Sequence, residues 1–190
     1  MGGECAGVAP YNDRSITASG GNATITIRAF AGSLAVTCAF LAAAPPATAQ
    51  KAVLIVRHGE RQDDSEDTPL SAAGRARAER LASALRDAGV TAIFATQWQR
   101  TGQTVAPLAT ALKLPIQQVH SDDIDGLVAT LRAKHAGGIV LVASHSGSAP
   151  KILAALGVPG PVQLGDDEFD NLFVVVPGAG PAPTFLRLHY

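Results

Sequence analysis

From residue 50 onward, short unbroken apolar runs alternate with longer stretches in which apolar residues recur every three or four positions. Ala52-Val53-Leu54-Ile55-Val56, Thr91-Ala92-Ile93-Phe94-Ala95 and Ile139-Val140-Leu141-Val142-Ala143 are of the first kind, and each predicts a buried strand. The stretches between them carry the helical period. A first helix is expected from a Ser71 cap to about Ala88, with Ala78, Leu81 and Leu85 inward and Gly89 stopping it. A second carries Val105, Leu108, Ala109 and Leu112. Proline is tolerated best in a first turn, so Pro107 places the start near Gly102, with Arg100 on the helix or just ahead of it. A third spans Asp122 to His135, with Leu127, Val128 and Leu131 inward, and a fourth spans Pro150 to Leu156 behind a Ser148 cap. Pro115 to Val119 suits a short edge strand, and Leu172 to Val176 and Thr184 to Leu188 suit closing strands. Strands alternating with helices predict an α/β domain, a three-layer sandwich on a mostly parallel central sheet.

Composition agrees with that architecture. The chain has 190 residues, 47% hydrophobic but only 5% aromatic, so its core is built from Ala, Val, Leu and Ile. A net charge of -1 gives no support for nucleic acid or an anionic membrane as partner, and any anion site must therefore be local.

The first fifty residues differ in character. Residues 1–26 are rich in Gly, Ser, Thr and Asn and carry no period, so a disordered extension is expected. Arg28, an apolar stretch from Ala29 to Leu41, and Ala47-Thr48-Ala49 ahead of Gln50 have the layout of a secretory signal peptide over about 27–49. Its depth suggests a translation start near Ile27. The expectation is therefore a domain over 50–190, periplasmic or secreted, with no stable membrane insertion once the signal is removed. Cys5 and Cys38 both precede the proposed cut, so the remaining domain needs no disulfide and has no thiol chemistry.

Chemistry concentrates at the ends of three predicted strands: Arg57-His58-Gly59-Glu60, the segment Thr96 to Thr104 containing Arg100, and Ser144-His145-Ser146-Gly147. In an open parallel sheet those ends share one edge, where ligands bind. Two guanidiniums and two imidazoles gathered there would form a cage of planar donors suited to a tetrahedral oxyanion such as phosphoryl. The helix after Ser148 would point its amide end at the same place. His58 and His145 could hold a metal, but the spacing supplies no third ligand. His120, His135 and His189 are scattered. Trp98 could line the substrate mouth, and Arg61 could reach a substrate anion or pair with the acidic loop after it.

Three segments in this order resemble the histidine phosphatase superfamily, the phosphoglycerate-mutase-like fold, and Thr68-Pro69-Leu70-Ser71-Ala72-Ala73-Gly74 looks like that family's lead-in to its first helix. The resemblance spans most of residues 51–176. It implies that His58 attacks phosphorus and becomes a phosphohistidine, while Arg57, Arg100, His145 and the neighbouring Ser146 hold phosphoryl oxygens. It implies no cofactor. The departure is the general acid. Acid-phosphatase members carry an Asp directly after the second His, where this chain has Ser146, and mutase-like members carry a Glu in an interval that here holds only Asp122, Asp123 and Asp125. Glu60 and Glu168 are the other carboxylates within reach. Lack of a strong acid disfavours poor alkoxide leaving groups and favours phosphoramidates or activated phosphates. The short chain resembles the small phosphohistidine-phosphatase-like branch, acting on a small phosphorylated substrate or a phosphoprotein. Two alternatives stay open: a phosphoglycerate-mutase-type phosphotransferase, and a phosphate-binding module without turnover.

Overall fold

Alternate positions of the first strand face opposite ways, and that alternation sets the layers. The computed structural model describes residues 51–178 and 180–190. The N-terminal extension, the signal layout and both cysteines lie outside the described residues. β1 (Ala52–Arg57) sends Val53 and Ile55 to one side of the sheet and Leu54 and Val56 to the other, all of them buried. The even side is covered by α1 (Ala72–Leu85) and α2 (Gln99–Leu112), through Leu81, Leu85, Val105 and Leu108. The odd side is covered by α3 (Ile124–Lys134) and α4 (Ala149–Ala155), through Leu127, Leu131, Ile152 and Leu153. This is the expected three-layer sandwich.

The remaining strands are β2 (Val90–Thr96), β3 (Ile116–Val119), β4 (Ile139–Ser144), β5 (Asn171–Val176) and β6 (Thr184–His189). They lie in the order β3-β2-β4-β1-β5-β6. The first four are mutually parallel; β5 is antiparallel to β1, and β6 to β5. β3 is an edge strand, as its short Pro-led sequence implies. No helix among the described residues is long and apolar enough to cross a membrane.

Two helix boundaries differ from expectation. α1 stops at Leu85, because the chain turns there and reaches the positive φ of 72° at Gly89 before entering β2. α2 begins at Gln99 rather than Gly102, which places Pro107 inside the helix. Its start is set from a distance. The Trp98 side chain caps nothing, and the Asp67 carboxylate accepts from the Gln99 amide at 2.8 Å. The loop carrying Asp67 is a hairpin-like excursion closed by an Arg61–Leu70 bridge.

Ser71 caps α1 as expected, its hydroxyl accepting from the Gly74 amide at 3.1 Å. Gly74 does more. It packs against the backbone of Glu60, and a Cβ there would lie on the Glu60 carbonyl oxygen and 3.0 Å from its amide nitrogen. Alanine ordinarily favours a helix over glycine by about 1 kcal/mol. Here the obstacle is backbone, which yields only if the 58–60 segment moves. Gly74→Ala is therefore expected to destabilise by about 1–3 kcal/mol, lowering the melting temperature by about 3–10 °C. Thermal unfolding by circular dichroism checks this; an unchanged or higher melting temperature would mean the two backbones are not wedged together.

Candidate active site

The C-terminal ends of β1, β4 and β2 adjoin along one sheet edge, and the three predicted segments converge there. Arg57 ends β1 opposite Ser144 of β4, and the His58 amide donates to the Ser144 carbonyl at 2.9 Å. His145 follows Ser144 directly. The two imidazole centroids stand 5.2 Å apart, edge to face. Arg57, His58, Arg100, His145 and Ser146 all line one open cavity of about 810 Å³.

His58 is 5% exposed. Its Nδ1 lies 2.8 Å from the Gly59 carbonyl. A carbonyl only accepts, so Nδ1 carries the proton and Nε2 keeps its lone pair. Burial pushes the His58 pKa down to about 3, against a partial offset from the Gly59 hydrogen bond; His145, Arg100 and Arg57 lower it further. His145 is pushed down to about 4, by burial first and then by Arg100 and Arg57. Both rings are thus neutral at pH 7.

The two guanidiniums are held alike. Arg57 Nη1 donates to the carbonyls of Gly165 and Asp166 at 2.9 and 2.8 Å, with the Phe169 ring 4.0 Å from its central carbon. Arg100 Nη1 donates to the Glu66 carbonyl at 2.8 Å, beside the Trp98 ring. In both residues Nε is buried without a partner among the described residues. A buried N–H donor left open on two fixed cations in one cavity is a feature that an anion would satisfy.

Threonines fix the rest. Thr96 Oγ1 shares a 2.9 Å hydrogen bond with His145 Nε2 and lies 3.0 Å from Thr101 Oγ1. Thr104 donates to the Arg100 carbonyl at 2.8 Å and accepts from the Gly59 amide at 2.9 Å, linking α2 to the segment bearing His58. Ser148 caps nothing, contrary to expectation. Its hydroxyl pairs with Ser144 and accepts from the His145 amide, while the Ala149 amide donates to the His145 carbonyl. The start of α4 therefore holds the His145 backbone, and its first amide is not free for a ligand.

The five carboxylates named from the sequence fare differently. Glu60 lines the cavity but is clamped by Arg77, which holds its carboxyl below the usual range. Asp123 caps α3 through the Gly126 amide. Glu168 does fold back toward the site, yet its carboxylate binds Arg187 and the Gly165 amide. These three are thereby removed as free proton donors. Asp125 sits exposed in the first turn of α3. Asp122 alone of the five shares a cavity with His145 while carrying no close partner; its nearest ion pair is exposed His120 at 3.9 Å. Phe169, Asp166 and Asp167 also line the main cavity and escaped the sequence. They arrive because β5 runs antiparallel to β1, so the loop before it returns to the same edge. Among the described residues, no three His, Asp or Glu side chains gather in a metal-ligating group.

Residues 53–121, which hold the His58 and Arg100 segments, match the model of the histidine phosphatase superfamily (branch 1). That match spans 69 of the 190 residues and shows this segment to be similar to the superfamily. The chain is also similar to 8-oxo-(d)GTP phosphatase of Mycolicibacterium smegmatis, 36% identical over 80 residues, which cover 39% of this chain and 24% of that protein. The chain thus matches about a quarter of that curated relative's length. Two solved structures share the fold. The protein histidine phosphatase SixA, complexed with tungstate, superposes with a TM-score of 0.60 at 23% identity, covering 73% of this chain and 96% of that one. Mycobacterial glucosyl-3-phosphoglycerate phosphatase with inorganic phosphate gives 0.58 at 18% identity, covering 74% and 96%.

Proposed function

We propose that this protein is a phosphatase that hydrolyses phosphomonoesters or phosphoramidates through a covalent phosphohistidine on His58. The observation that carries this is the free Nε2 of a neutral His58, facing a cavity whose two guanidiniums each retain an unpartnered Nε. Nε2 attacks phosphorus, the bond from phosphorus to the leaving group breaks, and its electron pair departs with the leaving group. Arg57, Arg100 and His145, with Ser146 beside them, bind the three phosphoryl oxygens as charge redistributes. Water then attacks phosphorus, the P–N bond breaks, and His58 returns neutral with Nδ1 still protonated.

Three of the five candidate acids are tied to other partners, so proton delivery to the leaving group is weak. Acetyl phosphate, phosphoramidate and p-nitrophenyl phosphate are expected to turn over faster than a simple alkyl phosphate, whose alkoxide must be protonated as it leaves. Asp122 is the acid best placed to help, and Asp122→Asn should slow the alkyl ester about tenfold while slowing acetyl phosphate little. A phosphate-release assay across these four compounds checks both statements. Equal loss on all four would count against the leaving-group argument, and no release from any would leave a binding module. The N-terminal layout supports action outside the cytoplasm, in the periplasm or beyond; N-terminal sequencing of the mature protein should then begin at Gln50.

A further inference from the structure

Two cavities open from Arg100 and His145, and they differ in charge. The larger sets Arg57, Arg61 and Arg100 against the carboxylates of Glu60, Asp63, Asp64, Asp166 and Asp167, so its mouth repels a negatively charged leaving group. The second, about 540 Å³, sets Arg100 and Lys151 against Asp122 alone. Its volume lies in the range of small-molecule sites.

We infer that this second cavity receives the leaving group, and that it suits one combining a planar ring with a negative charge of its own. The inference presupposes that His58 transfers phosphoryl groups, and it specifies from what. Trp98, half-buried, lines the cavity with an aromatic ring, and Ile124 adds apolar surface there. Lys151, on the first turn of α4, is exposed and forms no ion pair among the described residues. The walls are pre-assembled. The Gln97 side chain accepts from the Ser121 amide at 2.9 Å and donates to its hydroxyl at 3.2 Å, tying the loop before α2 to the loop before α3. An anion near Lys151 would meet a cation that has no ion-pair partner among the described residues, and a ring against Trp98 would add to the contact that indole already makes with Arg100, 5.3 Å from its centroid. A weakly basic leaving group also relieves the shortage of acid. A phosphoanhydride that departs as a ring-bearing phosphate meets all three conditions.

Trp98 is the only tryptophan of the chain, so its fluorescence reports on this cavity without turnover. Full-length His58→Ala protein, excited at a wavelength that adenine does not absorb, is titrated with ADP (ring and charge), phenyl phosphate (ring), pyrophosphate (charge) and inorganic phosphate. ADP is expected to change the emission at the lowest concentration, and Lys151→Ala to weaken its binding about fivefold. In parallel, the kcat/KM ratio of ADP to acetyl phosphate is measured in otherwise wild-type protein with and without Lys151→Ala, and should fall about fivefold with the substitution. Hydrolysis of acetyl phosphate with no ADP response and an unchanged ratio overturns the cavity's role and leaves the phosphatase standing. A Lys151-dependent ADP response with no hydrolysis of any compound supports the cavity and overturns the phosphatase. Absence of both overturns both.

Discussion

His58→Ala is expected to abolish phosphate release from every substrate, by about 10⁴-fold or more, and with it any acid-labile phosphoenzyme. The neighbouring imidazole, His145, shares its Nε2 with Thr96, and the described domain contains no cysteine. The fold should survive the change, since the side chain's hydrogen bond is to the adjacent residue and the core lies deeper in the sheet. Rapid acid-free quench with radiolabelled substrate checks the intermediate. A labelled, acid-labile adduct that persists in His58→Ala would place the nucleophile elsewhere.

The same ring carries a pH signature. With a folded-state pKa of about 3 against about 6.5 unfolded, His58 stays neutral in the folded protein throughout the range where a free imidazole protonates. Its ring-proton resonances should not move between pH 7.5 and 5, as assigned by comparison with the alanine variant. The sign for stability follows. Below about pH 6.5 the unfolded chain takes up a proton that the folded ring refuses, so acidification toward pH 3 favours unfolding, and His145 acts in the same direction. A His58 titration near pH 6.5 would mean the ring is solvated and the pocket open around it.

Arg57→Ala is expected to cost about 10²–10³-fold in kcat. Two losses combine. The cavity-lining guanidinium, whose buried Nε has no partner among the described residues, is gone, and so is the donor that holds the carbonyls of Gly165 and Asp166 and supports Phe169. Arg57→Lys separates them. Lysine keeps a charge but cannot hold two carbonyls while presenting a second planar N–H to the substrate. It should recover no more than about tenfold of the loss. Steady-state kinetics on acetyl phosphate checks both variants, and full activity in Arg57→Lys would reduce the residue to a point charge.

Much of the site was readable because its residues occupy ends of strands whose apolar runs are unmistakable. Residue 57 closes β1 and residue 145 follows β4, so the periodicity that located those strands located the site as well. Arg100 needed only a helix start somewhere between residues 98 and 102. The first three residues of that helix escaped prediction because Asp67 supplies its cap from another loop, and no local signal at Trp98 announces it.

The amino-acid order alone determined which side chains could do chemistry and on which sheet edge they would gather, because strand and helix periods are local properties. Which carboxylates remain free to act was decided only in three dimensions. Glu60 meets Arg77 across 17 residues, and Glu168 meets Arg187 across 19. The antiparallel turn into β5 returns the 165–169 loop, over a separation of 108 residues, to bind Arg57. An ionisable group's role depends on which opposite charge or carbonyl lies within about 3 Å of it, and contacts made across such separations leave no periodic trace in the chain.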